Sequence, residues 1–382
     1  MSTKKSDKVI KVLHVVGGMS AGGLESLIMN IYRNIDRSKF QFDFAVQVDE
    51  KCFYDDEIIK MGGKIIVHPK PKNGLEKYKK ALGNTLENYG GYDVVHSHVL
   101  FFSGIALEVA KKHNVPIRIA HSHNTSDSKK DTFYREIYRS MMRRKIISNA
   151  TSMIGCSKEA CEYTFGRTQY KKNKAKHFPN AIEISKYKNL EFEGGNLKSE
   201  LGIEEDSILV GHIGRFSRQK NHSFLLDVFS KYAENERKAH LILVGEGAEL
   251  ENIKNKITEN NLEKCVHLLG IRKDIPNVLN SLDLFLFPSL YEGLGIVIVE
   301  AQAAGIPCLI SENIPLEADI NIGLINRLSY EKDGEKKWVH EITNLVEKNK
   351  RNWSQIEPAL KKSGYDIEES VERLTKIYTG KY

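Results

Sequence analysis

No uncharged apolar run in this 382-residue chain approaches the ~18 to 20 residues needed to span a bilayer, so a transmembrane helix is excluded. The opening MSTKKSDKVI is polar and leads straight into a strand pattern, without the apolar core of a secretory signal, so the chain is expected to stay in the cytoplasm. Cysteine is scarce: Cys52, Cys156, Cys161, Cys265 and Cys308 are scattered without a CxxC pair, and they are read as reduced small hydrophobes. Asp-x-Asp is missing, which removes the paired aspartates of a metal-diphosphate grip, and no GxxxxGK[ST] is present, which removes ordinary P-loop ATPase chemistry. Any diphosphate must therefore be met by side-chain cations and helix amides, and no metal is expected.

What is present is a soluble globular composition, 41% apolar and 28% charged, in a chain too long for one ordinary core. Two domains are expected. The formal charge of +7 is spread along the chain, but Lys and Arg thicken at Arg135 to Lys145 and at Lys171 to Lys176. A basic first half suits anionic lipid head groups or an anionic acceptor as well as it suits plain solubility.

The first half alternates short β-branched runs (VIKVLHVV, FQFDFAVQ, KIIVHP, DVVHSH, IRIAHSHN, TSMIGCS) with amphipathic segments, the mark of a parallel sheet covered on both faces. After HFPNAI a polar stretch, EISKYKNLEFEGGNLKSE, reads as a hinge. A second alternating series follows, through SILVGHIGRF, HLILVGEG, CVHLLG, LFLFPS and PCLIS, and predicts a second doubly wound sheet. Sites in such sheets form outside the carboxyl ends of the strands, where Gly22, His98, His123, Arg215, Gly245 and Glu292 fall. Two sheets facing one another would bring those ends into one cleft. From about Ser363 the tail reads as a helix with Val371, Leu374 and Ile377 on one face.

The sharpest signal is EGLGIVIVE, with Glu292 and Glu300 eight positions apart across a glycine-rich turn and an apolar helix start. Gly293, Leu294 and Gly295 would let backbone amides at a helix N-terminus approach a diphosphate, while Glu300 offers a carboxylate to hydroxyls. A carboxylate in so apolar a helix needs partners. Upstream, GRFSRQKN supplies Arg215, which can fork onto phosphate oxygens, and Lys220, a point charge. As a surface cation, Lys220 is expected to tolerate replacement by Ala with loss of transfer but little loss of folding. The loop with Gly245 could line the same site or be a plain turn.

Glycines after the first strand, GGMSAGGLES, do not form GxGxxG and lack a well-placed ribose-binding acid, so a close-approach turn for phosphate or sugar fits better than NAD. Histidines recur in VHSH (His96, His98) and AHSH (His121, His123). With the two members of each pair placed on opposite sides of their strand, one of each would face the cleft, and no nearby Cys or Asp completes a metal set. His123 is the member expected to serve a substrate hydroxyl or phosphate, with structural histidines as the plainer reading of the rest.

Together, GGMSAGGLES, HSHVLFFSG, RIAHSHN, GRFSRQKN, HLILVGEG and the run from HLLGIRKDIPNVLN to EAQAAGIPCLIS resemble the retaining GT-B glycosyltransferases of family four, in particular the bacterial capsule and exopolysaccharide branch. The resemblance covers nearly the whole chain. It implies an α/β GT-B fold: an acceptor-side Rossmann-like domain (1–185), a nucleotide-sugar domain (186–365) and a C-terminal helix (366–382) crossing back onto the first. It implies a UDP-sugar donor and a saccharide acceptor, in lipid-linked form, on a peripheral protein at the inner face of the membrane, with no nucleic-acid partner. Carried over by position, Glu300 binds the ribose, Glu292 the sugar hydroxyls, and Arg215 and Lys220 the diphosphate. Leu294 and Gly295 amides assist, and the base lies by Ile271 and Arg272. Gly22 and Gly23 approach the donor, with His123 beside the transferred sugar. Residues Asn313 to Lys337 depart from the wider family's shorter ending. Two other functions fit the architecture: a UDP-sugar epimerase, and a partner subunit that has lost its chemistry.

Overall fold

The computed structural model describes residues 8–127, 130–188, 197–330, 334–347 and 353–381. The polar stretch read as a hinge falls partly on residues 189–196, which lie outside the described residues. The chain divides into two units: unit 1 is Met1–Ala181 with Ile367–Tyr382, and unit 2 is Ile182–Asp366.

In unit 1 the β-branched runs form seven strands, β1 (Ile10–Val15), β2 (Phe40–Val46), β3 (Ile65–Val67), β4 (Val94–Ser97), β5 (Ile117–Ser122), β6 (Ser152–Gly155) and β7 (Ala175–His177). All neighbours are parallel, in the order β3-β2-β1-β4-β5-β6-β7. The order reverses between β1 and β4, whose register sets His14 beside His96. Both faces are covered, which is why the central strands carry mostly apolar residues. On one face Leu27, Ile28 and Ile31 of the helix Gly23–Asn34 pack with Phe42, Phe44, Leu374, Ile377 and Tyr378; on the other, Leu82, Ile105, Leu107 and Ile146 close the layer. The final helix, Ile367–Tyr378, thus completes the core begun by β1, with Val371 packed at its margin. Helix starts follow from local chemistry: the Oγ1 of Thr132 accepts from the Arg135 amide to cap Phe133–Asn149, and Ser157 caps Lys158–Phe165 in the same way.

Unit 2 repeats the scheme with six parallel strands, β8 (Ile208–Ile213), β9 (Ala239–Val244), β10 (Val266–Leu268), β11 (Leu284–Phe287), β12 (Cys308–Ser311) and β13 (Ile325–Leu328). Their order is β10-β9-β8-β11-β12-β13, so the reversal lies between β8 and β11. Leu225, Phe229, Trp338 and Ile342 are packed on one side of this sheet, and Tyr365 and Leu360 are fully buried in the same unit. β13 falls in the 313–337 segment that departs from the family's usual ending, and it forms the sheet edge. All five cysteines are free thiols, with Cys156, Cys161 and Cys308 buried. Among the described residues no helix is long and apolar enough to cross a membrane.

Candidate active site

In an open parallel sheet, ligands gather where the strand order reverses, because the two loops leaving adjacent strands diverge there and open a crevice. In unit 2 those loops follow β8 and β11. The first carries Arg215 and Lys220; the second carries Glu292 and leads into the helix Ile296–Ala303. They are tied together: Leu290 N donates to Gln219 O at 2.8 Å, and the Gln219 amide donates to Tyr291 O at 2.8 Å. Between them, Lys220 Nζ donates to Glu292 Oε1 at 2.7 Å, with the side chains only 14% and 9% exposed. The same ammonium stands 4.4 Å from the centre of the Phe287 ring, at the end of β11.

This corrects the expectation that Lys220 is a surface cation. It is a largely buried ion partner, and its removal leaves a carboxylate without its counter-charge. An ammonium has three donors and Glu292 takes one, so two can still serve an anion. Arg215, on the same loop, is exposed and has no ion-pair partner among the described residues.

The helix Ile296–Ala303 begins at Gly295, held in the left-handed region at φ 81. That conformation turns the chain sharply out of Gly293 and the buried Leu294, and leaves the first-turn amides at an N-terminus suited to an anion. Glu300 lies five residues along the helix, partly exposed, where burial raises its carboxyl to about 7 and a hydrogen bond from Tyr187 opposes that rise. Tyr187 is buried, and the phenol is driven well above its ordinary value by burial and then by the Glu300 charge. Sequence reasoning missed Tyr187, which sits inside the polar stretch read as a hinge; an aromatic in that polar run was the available signal. It also missed Phe287, legible as the last apolar residue of LFLF before Pro288.

The loops after β9 and β10 complete the rim of this sheet. Gly245, at φ 142, lies so close to the loop after β8 that a Cβ would come within 2.1 Å of Gly214 O. Its amide donates to Gly270 O, and Phe216 N donates to Glu246 O, both at 2.8 Å. Ile271 is exposed, whereas Arg272 is committed: its guanidinium binds Asp274 at 2.7 and 2.8 Å and Glu200 at 2.5 and 3.1 Å.

In unit 1, Gly22 precedes the helix Gly23–Asn34 in an extended conformation, and its carbonyl accepts from Ser26 N at 2.8 Å. His123 follows β5, but the histidines are not divided between faces. Residues two apart on a strand share one side, so His96 and His98 lie together with ring centres 4.1 Å apart, and His121 and His123 with 3.9 Å. With His14 of β1 they form two hydrogen-bonded chains. One runs from Tyr378 to His96 Nδ1 (2.8 Å) and from His96 Nε2 to His121 Nδ1 (3.2 Å). The other runs from His14 Nδ1 to His98 Nε2 (3.1 Å) and from His98 Nδ1 to His123 Nε2 (2.9 Å). Burial holds all five rings neutral, lowering His14 and His123 to about 3 and the others well below their ordinary value.

A ligand set therefore needs no Cys or Asp: His14, His96 and His98, or His98, His121 and His123, each bring ligand atoms within 4.8 Å of one another. The hydrogen bonds already occupy both nitrogens of His96 and His98. The ends of the chains, His14 Nε2, His121 Nε2 and His123 Nδ1, have no hydrogen-bond partner among the described residues.

Comparison with known proteins bears on the whole chain. The family model "Glycosyltransferase Family 4" matches residues 21–186, and "Glycosyl transferases group 1" matches residues 195–362. "Putative glycosyltransferase EpsF" of Bacillus subtilis (strain 168) is 33% identical over 370 residues, 96% of each chain. The capsular polysaccharide biosynthesis glycosyltransferase CapH of Staphylococcus aureus is 28% identical across 98% of this chain and 99% of its own. The UDP-Gal:alpha-D-GlcNAc-diphosphoundecaprenol alpha-1,3-galactosyltransferase of Escherichia coli is 29% identical over 58% of each chain. Among solved structures, Anabaena HepE in complex with UDP-glucose superposes with a TM-score of 0.78 at 19% identity, over 97% of this chain and 100% of that one, a likeness of fold. The architecture is the expected α/β GT-B type, with two doubly wound sheets of seven and six strands.

Proposed function

We infer the reaction from kinship: the chain belongs to the group 1 glycosyltransferases. We propose that it moves a hexose or N-acetylhexosamine from a UDP-sugar to a lipid-linked capsular or exopolysaccharide precursor, with retention at the anomeric carbon, while resting on the inner face of the membrane. The sugar-to-diphosphate bond breaks with its electron pair leaving on the phosphate, the acceptor hydroxyl adds on the same face, and its proton passes to the leaving phosphate. No protein nucleophile is required. The protein's work is then to hold the donor and stabilise charge on the departing diphosphate, which is the role of Lys220, Arg215 and the amides after Gly293.

The observation that carries this reading is the Lys220–Glu292 pair where the sheet order reverses, with Glu292 eight residues before Glu300. Glu292 steers the ammonium and offers its second oxygen to sugar hydroxyls, and Glu300, with Tyr187 on one side, takes the ribose diol. The backbone at Ile271 and Arg272 meets the base, with Gly245 keeping the neighbouring loop thin. His123, neutral and with Nδ1 unpartnered, supplies a hydrogen-bonding imidazole to a substrate hydroxyl. The E. coli galactosyltransferase, whose name specifies a diphosphoundecaprenol acceptor, supports the lipid-linked part.

Calorimetric titration with UDP, GDP and ADP, followed by a hydrolysis screen of the matching sugars, tests base and sugar together. UDP binding abolished by Glu300→Gln is the expected result; equal binding of all three, unaffected by Glu300, overturns the donor assignment. An epimerised free sugar formed without acceptor would replace transfer by epimerisation. Because cations and amides meet the diphosphate, transfer should persist in EDTA, and loss restored by magnesium or manganese would refute the metal-free reading.

A further inference from the structure

Five histidines meet at the carboxyl ends of three adjacent strands of unit 1, β1, β4 and β5, in a sheet otherwise packed with apolar side chains. His98, His121 and His123 are only 6, 2 and 8% exposed. Each brings a ligand nitrogen within 4.8 Å of the other two. Hydrogen bonding alone leaves His14 Nε2, His121 Nε2 and His123 Nδ1 buried with no partner among the described residues, and an unmet buried polar atom is costly. Three such nitrogens in one cluster point to a ligand.

The spacing of the rings is that of ligands on one ion. With metal-to-nitrogen bonds of about 2.0 to 2.1 Å, two imidazole nitrogens on the same ion stand about 2.9 Å apart at a right angle and about 3.3 Å apart at the tetrahedral angle. His98 Nδ1 and His123 Nε2 are 2.9 Å apart. Protons also balance. Neutral His14, His98 and His123 hold one proton each, and an ion between His98 Nδ1 and His123 Nε2 leaves these on His14 Nε2, His98 Nε2 and His123 Nδ1, so none is released. His98 Nε2 then donates to His14 Nδ1 at 3.1 Å, the kind of outer contact by which metal-bound imidazoles are oriented. Binding through His121 Nε2 leaves its Nδ1 bond to His96 in place, and His96 is held in turn by Tyr378. The alternative triad, His14, His96 and His98, is poorer, because both nitrogens of His96 are already engaged.

We propose that His98, His121 and His123 bind one zinc-class ion in unit 1, with His14 and His96 as its outer partners. An all-imidazole set suits Zn²⁺, Cu²⁺ or Ni²⁺ and offers little to the oxygen-seeking Mg²⁺ and Mn²⁺, so the site is separate from the metal-free handling of the diphosphate in unit 2. Three neutral ligands leave a fourth position, where a water acidified to near neutrality supplies hydroxide and reduces the buried charge. The ion ties the end of β4 to the end of β5 and, with Nε2 bound, fixes the His123 proton on Nδ1, making that nitrogen a donor. Nothing in this assignment depends on the identity of the sugar nucleotide.

The full chain, expressed without a polyhistidine tag in zinc-supplemented and in cobalt-supplemented medium, tests this by metal content, by the visible spectrum of bound Co²⁺ and by competition with a chromogenic zinc chelator. Wild type should carry about one ion per chain. His14→Phe should weaken affinity roughly 10- to 100-fold, and His121→Ala should weaken it further. His240→Ala/His267→Ala, which removes a half-buried pair in unit 2 with nitrogens 3.0 Å apart, should leave it unchanged. Wild type without stoichiometric zinc or cobalt overturns the proposal and assigns the cluster to hydrogen bonding alone. Metal that persists in His121→Ala, or that disappears in the unit 2 double variant, overturns it as well. Should His121→Ala fail to fold, the wild-type cobalt spectrum decides: the intense visible bands of a four- or five-coordinate ion support the site, and the weak bands of the aqueous ion overturn it. UDP titration of the same samples reports on unit 2, so failure of wild type to bind UDP counts against the donor reading and not against the metal site.

Discussion

Replacing Lys220 by Ala should damage folding as well as transfer. At 2.7 Å the Lys220–Glu292 pair has a gross attraction of about 6 kcal/mol at an effective dielectric of ~20, most of it offset by the desolvation of both ions. Intact, the pair contributes little net stability. Broken on one side it leaves Glu292 nearly buried and deprived of this cation, a loss of about 3 to 5 kcal/mol. In a unit of this size that lowers the melting temperature by roughly 6 to 20 °C. Glu292→Gln should be milder, because the amide can still accept from the ammonium and Phe287 still faces the cation. The double variant Lys220→Met/Glu292→Gln should recover much of what Lys220→Ala loses, since no bare charge remains. Urea unfolding of the four proteins, with UDP titration of each, measures the coupling. Lys220→Ala within about 0.5 kcal/mol of wild type would refute the account of a buried, mutually dependent pair.

Gly245→Ala should destabilise unit 2 by about 2 kcal/mol or more, because its Cβ would collide with Gly214 O and φ 142 disfavours any side chain; an unchanged urea midpoint would show that the loops can spread. The histidine cluster should make unit 1 acid-labile. Its folded-state values lie below 6.5, so its contribution is fully present above pH 6.5 and falls as pH drops toward 3, by up to about 1.4 kcal/mol per pH unit for each ring; a flat urea midpoint between pH 7 and 5 would contradict this. Glu300 has the opposite sign: its carboxyl is raised to about 7, so stability is complete below 4.5 and is lost as pH rises through 7, by at most about 3 kcal/mol. Glu300→Gln should therefore flatten the fall in stability between about pH 4.5 and 7 while abolishing UDP binding, and a variant that keeps the wild-type profile would remove Glu300 as its source.

The order of strands was largely legible because a two-faced parallel sheet writes itself as continuous apolar runs, and VIKVLHVV, SILVGHIG and LFLFPS all became strands where expected. β7 and β13 were not. Each is an edge strand with polar residues, Lys176 and His177 in one and Asn326 and Arg327 in the other, so neither shows the apolar signature of the centre. The approach of Lys220 to Glu292 was readable from glycine placement and strand ends. Their burial was not, because it depends on Phe287 and on backbone bonds through Gln219 that span more than seventy residues of chain. The histidines show a different limit: the two-residue spacing already dictated a shared face, but the opposing face was assigned instead, and the link to Tyr378, some 280 positions away, could be seen only in three dimensions.

The last helix has a consequence for synthesis. Its side chains Leu374, Ile377 and Tyr378 belong to the core that β1 starts, yet all of unit 2 must leave the ribosome before they exist. At about 5 to 20 residues per second, the nascent N-terminal sheet waits on the order of ten to forty seconds with one flank uncovered and His96 lacking its tyrosine. During that interval the growing chain exposes an apolar surface that chaperones can hold, and termination just before Ile367 would leave unit 2 complete but unit 1 without its last helix.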